Sequence, residues 1–76
     1  MAKFAKLYDL SDDNQVLVTT QYNVEDDVHE LKFETEHGNL QMSMCLGFKT
    51  QSEVEDALKN CIIEDAESIR KKIIAY

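Results

Sequence analysis

The chain has 76 residues, 43% of them hydrophobic and 30% charged, with two glycines and no proline. This describes one small globular domain over residues 1–76, near the lower size at which a core holds without staples, with no stretch that reads as a linker or low-complexity tail. Fifteen acids against eight bases leave a net charge of -7, which argues against direct binding to nucleic acid or anionic lipid and favours basic partner surfaces.

The opening residues Met1-Ala2-Lys3-Phe4-Ala5-Lys6 lack the apolar core of a signal peptide. The runs Val16-Leu17-Val18 and Cys61-Ile62-Ile63 are far too short to cross a bilayer. Two cysteines do not make a disulfide framework. The expectation is a cytoplasmic protein with reduced thiols.

Residues 3–10 read as a first strand, with Phe4, Tyr8 and Leu10 on one face and Ala5 and Leu7 on the other. Ser11-Asp12-Asp13-Asn14 has turn chemistry. A loop of Asp12 to Asn14 pairs Leu10 with Val16 and Tyr8 with Val18. Residues 15–24 then form a second strand that points Val16, Val18, Thr20 and Tyr22 inward. Asp26-Asp27 is the next turn and sets Tyr22 opposite Leu31. Residues 29–36 alternate cleanly, with Leu31 and Phe33 against Glu30, Lys32, Glu34 and Glu36. A turn at His37-Gly38 places Phe33 opposite Met42 and Leu31 opposite Met44. Residues 40–48 alternate again, with Leu40, Met42, Met44, Leu46 and Phe48 in phase as core filling. The four strands form an antiparallel meander.

Thr50 followed by Glu53 is a capping box that opens a helix. Val54, Ala57, Leu58, Cys61 and Ile62 follow at helical spacing, whereas Ala66, Ile69 and Ile73 make a second stripe rotated by roughly 100°. An unbroken helix would also outrun so short a sheet, so a break is expected at residues 60–63, with Asn60 as a left-handed cap. The predicted fold is α+β, a four-stranded antiparallel meander followed by two C-terminal helices on one face. Phe33, Met44, Leu46, Leu58 and Ile69 are expected in the core. Cys45 falls on the open face and Cys61 beneath a helix, so the two thiols stay unpaired.

In a meander, alternate turns share an end. The turn at residues 25–27 and the start of the first helix therefore meet, gathering Glu25, Asp26, Asp27, Glu53, Glu55 and Asp56, with Lys49 nearby. Such an end suits a basic groove on a protein partner, although acids are also ordinary in turns and in first helical turns. No calcium-loop spacing is present, His29 and His37 lie at opposite ends of one strand, and no Cys/His set or partnered serine assembles. No metal, cofactor or catalytic residue is expected. Arg70, Lys71 and Lys72 complement a helix C-terminus and have no interleaved aromatics.

The resulting expectation is a protein-protein interaction module, an inhibitor or adaptor whose acidic end docks on a basic site of a nucleic-acid-handling partner. Compact acidic antagonists of that machinery made by bacterial viruses share this size and charge, and the likeness rests on no motif. The alternative is a structural homo-oligomer built through the open face, where Ala5 and Leu7 lie beside Leu17, or through the first strand as a sheet edge.

Overall fold

A computed structural model describes residues 5–10 and 14–75. Four strands, β1 (Ala5–Asp9), β2 (Gln15–Asn23), β3 (Val28–His37) and β4 (Leu40–Phe48), are followed by helices α1 (Gln51–Asn60) and α2 (Ile63–Ala75). The sheet is antiparallel in the order β1-β2-β3-β4. This is the ββββαα meander expected from the alternation. The proposed turn residues Ser11, Asp12 and Asp13, and the strand positions Lys3 and Phe4, lie outside the described residues.

All three registers differ from the sequence expectation by two residues, and in each the parity is kept. Tyr8 pairs with Val16, not Val18. Leu10 N–H donates to the Asn14 carbonyl at 2.7 Å and closes that loop one residue earlier than expected. Tyr22 lies opposite His29, and Leu31 opposite Thr20, because the chain uses a four-residue turn at 24–27 with Asp27 in the left-handed region at φ 51°. Phe33 meets Met44, and Leu31 meets Leu46, because the third turn is Gly38-Asn39 with Gly38 at φ 64°. A side chain changes face only when the register slips by an odd number. Any even slip leaves the apolar face intact, so the hydrophobic pattern is blind to it.

The covered face carries rows that run across the sheet, among them Tyr8-Val16-Thr35-Met42 and Lys6-Val18-Phe33-Met44. Val16, Val18, Leu31 and Phe33 are buried beneath Val54, Leu58, Cys61, Ala66 and Ile73 of the helical layer. Met44 and Ile69 pack against this cluster while half-buried. Leu46 does not join the core. It is 38% exposed, because it sits on the outermost strand beside an open groove of about 400 Å³ lined by Phe48, Ala57 and Ile69.

Thr50 caps α1 with its Oγ1 accepting from Glu53 N–H at 3.2 Å. The Glu53 carboxylate accepts a hydrogen bond from the Thr50 hydroxyl at 3.1 Å, so the return half of the box goes to the side chain and not to the backbone. The helix breaks where the two stripes diverge. Asn60 is its last residue in helical conformation, and Cys61 leaves in extended geometry (φ -71°, ψ 127°), so no left-handed cap is used. Ile62 starts the next helix: its carbonyl accepts from Asp65 and Ala66, while Asp65 Oδ2 accepts from Ile62 N–H at 3.1 Å. Ile62 therefore leaves the first stripe and is 56% exposed.

Two polar clasps bind helix to sheet. Tyr8 donates to the Cys61 carbonyl at 2.6 Å, and Lys6 Nζ donates to the carbonyls of Lys59 at 3.0 Å and Cys61 at 3.4 Å. A cation at the last carbonyls of a helix also complements its dipole. At the other clasp, Arg70 Nε donates to Thr35 Oγ1 at 3.0 Å and Nη2 to Asn14 Oδ1 at 3.0 Å and the Glu36 carbonyl at 3.2 Å. Thr35 is buried and its own hydroxyl donates a hydrogen bond to the Gln15 carbonyl at 2.8 Å.

Truncating Phe33 to Ala should cost about 3–5 kcal/mol, a large share of the stability of a domain this small. An unchanged denaturation midpoint would show that this face is not the core. Tyr8 gives a pH signature. Its phenol is pushed up to about 12, chiefly by burial and then by Cys61 and Asp65. A pKa raised on folding contributes stability that is complete below the unfolded value, about 10, and is lost as pH rises through the folded value. Tyr8→Phe should cost about 1 kcal/mol at neutral pH, and its deficit should shrink between about pH 10 and about pH 12. Parallel urea curves across that range would refute the contact.

Candidate functional site

The Phe48 end of the sheet is where the second turn and the start of α1 meet. His29 pairs with both Tyr22 and Phe48 there, and Thr50 follows two residues later. Of the six acids singled out from the sequence, Glu25, Asp26 and Asp27 lie on the turn and Glu53, Glu55 and Asp56 within the first six residues of α1. Glu25, Asp26, Asp27, Glu53 and Asp56 are exposed and Glu55 is half-buried.

Their roles differ. Asp26 N–H donates to Asn23 Oδ1 and Asn23 Nδ2 donates back to Asp26 Oδ2, each at 3.2 Å, which ties the turn to itself. Asp27 holds the left-handed position and accepts a hydrogen bond from the Tyr22 hydroxyl. That bond raises the Tyr22 phenol above its ordinary value, with a smaller contribution from burial. Glu53 serves the helix cap and Glu55 accepts from Gln51 at 3.5 Å. Among the described residues the ion pair is Lys32–Glu34 at 2.9 Å, and none of these six acids is neutralised by a cation.

Asp27 and Glu55 border a shallow cleft of about 520 Å³ together with Tyr22, His29, Gln51 and Val54. Tyr22 and His29 stack across the strands with ring centroids 4.8 Å apart, tilted by 44°. His29 is thus a rim residue, and Tyr22, expected inward, is 49% exposed because its row lies beyond the buried centre of the sheet. The pairing of Tyr22 with Asp27 is invisible in the alternation because it depends on the four-residue turn.

On the opposite face, Lys32 bonds Glu34, which raises the lysine above its ordinary value. Cys45 stands exposed beside Lys32, and partial loss of solvent around its sulfur, followed by the charge of Glu30, pushes its thiol up and favours the protonated, poorly nucleophilic form. Cys61 is buried and both thiols are free. Leu7, 57% exposed, faces Leu17 and then Glu34 along one row, so the apolar half of this face is bordered by charge. Arg70, one of three adjacent cations near the C-terminus, is engaged by Thr35, Asn14 and Glu36, while Lys71 and Lys72 remain exposed.

No group of three or more His, Cys, Asp or Glu among the described residues has the geometry to hold a metal ion. No helix among them is long and apolar enough to cross a membrane. Compared with known proteins, the chain matches no family model, no curated protein and no solved structure.

Proposed function

We propose that this protein is a small cytoplasmic interaction module, an inhibitor or adaptor, that binds rather than catalyses and docks its acidic end on a basic surface of a nucleic-acid-handling partner. The observation that carries this reading is the gathering of Glu25, Asp26, Asp27, Glu53, Glu55 and Asp56 at one end with no ion pair to any of them among the described residues. Like charges crowded together repel, and a cationic partner surface offsets that repulsion on docking. Attraction of this kind is felt over roughly 8 Å at physiological salt, so it speeds encounter and weakens as salt rises.

The geometry selects the residues to reverse. Asp27 holds a left-handed backbone and the Tyr22 hydrogen bond, so it is left alone. Glu25, Asp26 and Asp56 are exposed; their triple change to Lys removes one surface hydrogen bond, from Asn23 Nδ2 to the Asp26 carboxylate, and keeps the Asp26 N–H bond to Asn23 that ties the turn, so the fold should persist. Binding of basic proteins captured from cell extract should fall about tenfold, at roughly 0.5 kcal/mol or more for each rim charge. Reversal of Glu36, Glu64 and Glu67 changes the net charge by the same amount away from this end and should have a much smaller effect. Equal losses from the two triples, or capture that ignores both the triples and added salt, would show the acidic end to be ordinary solvated surface.

A further inference from the structure

β4 forms the second edge of the sheet, and no described strand pairs with its outer side. Its sequence, Leu40-Gln41-Met42-Ser43-Met44-Cys45-Leu46-Gly47-Phe48, holds no charge and no proline over nine residues. Sheet edges ordinarily carry such features because their free N–H and C=O groups template another strand. β1, the other edge, carries Lys6 and Asp9. A row of alternating donors and acceptors is satisfied by extended backbone, so an occupant suited to the β4 edge is itself a strand.

The order of side chains names that strand. Read outward from Met44 in both directions, β4 is apolar at matching positions: Leu46 and Phe48 one way, Met42 and Leu40 the other, all on the covered face. The open face alternates with Gln41, Ser43, Cys45 and Gly47. We propose that β4 pairs antiparallel with β4 of a second copy about a two-fold axis at Met44, joining two four-stranded sheets into one of eight strands. Leu40 then lies opposite the partner's Phe48, and Leu46 opposite the partner's Met42. Leu40 is 67% and Leu46 38% exposed in the single chain, and each gains an apolar neighbour. Centring the axis on Ser43 or Cys45 instead would leave Phe48 or Leu40 without one.

Charge favours the same arrangement. Each copy carries -7, and the acidic end adjoins Phe48. Antiparallel pairing sends the two acidic ends to opposite ends of the dimer, about 30 Å apart along a nine-residue strand and well beyond the screening length. Only uncharged side chains meet at the seam. The contact is isologous and uses up the edge it is made from, so it closes at two copies through β4. A strand ladder lies at the small end of specific interfaces, so the dimer forms as concentration rises.

Sedimentation equilibrium of the full chain from about 1 µM to about 1 mM should show the mass rising from 8.8 kDa to twice that value. The proposed register puts residue 43 of each copy opposite residue 45 of the other, both exposed on the open face. Ser43→Lys with Cys45→Lys therefore sets lysine against lysine twice and should raise the dissociation constant about tenfold or more. Ser43→Lys with Cys45→Glu sets lysine against glutamate and should dimerise at least as well as the parent chain. Circular dichroism should show both variants folded. A parent chain monomeric at every concentration, or a dimer on which the two variants act alike, overturns the proposal.

Discussion

The covered face of this protein depends on where the chain turns between its two helices. At Cys61 the path is fixed by a tyrosine hydroxyl and a lysine ammonium from β1, both reaching backbone carbonyls that the end of α1 leaves without helical partners. With that corner held at one margin of the sheet, Val54 and Leu58 of α1 and Ala66 and Ile73 of α2 come down on the same four residues of β2 and β3. Arg70 secures the other helix where it passes the buried Thr35. At the far margin no comparable clasp among the described residues reaches β4, and the groove beside Leu46 and Phe48 stays open.

The sequence shows parity far better than register. Leu31 and Phe33 against Glu30, Lys32 and Glu34 leave no doubt about which face is buried, because that face follows from a period of two. Pairing partners depend on turn length, and the residues that set it say little until a backbone is built on them. Asp27 and Gly38 each adopt a positive φ, as residues of these types tolerate. Nothing in Asp26-Asp27 or His37-Gly38 as letters distinguishes turns displaced by a residue or enlarged by two. The helix break was legible for a similar reason: two stripes out of phase cannot face one sheet from one helix. The manner of the break was not, because Asn60 suits a left-handed cap that an extended Cys61 makes unnecessary.

The acidic end was legible because it follows from the meander alone, and a register slip of two residues leaves its turn and its helix start together. Apart from Tyr22 with Asp27, the interactions missed are those between distant residues. Arg70 is separated by 35 residues from Thr35 and 56 from Asn14, and in the sequence it stands between Ile69 and Lys71 as one of three ordinary cations. Lys6, which reads as an edge protector, caps a helix 53 residues away. The bare edge of β4 is legible too, as nine letters without a charge on the last strand of a meander, and the strand order places it outermost.

Residue-by-residue amide exchange of the parent chain and of a Lys6→Met, Tyr8→Phe variant tests the role of the helix corner most directly. With the corner released, amides of α2 and the end of α1 should lose protection first, while Val16, Val18, Leu31 and Phe33 keep nearly all of theirs as a separately stable unit. Uniform loss across sheet and helices, or no change in α2, would contradict a structure organised around that corner.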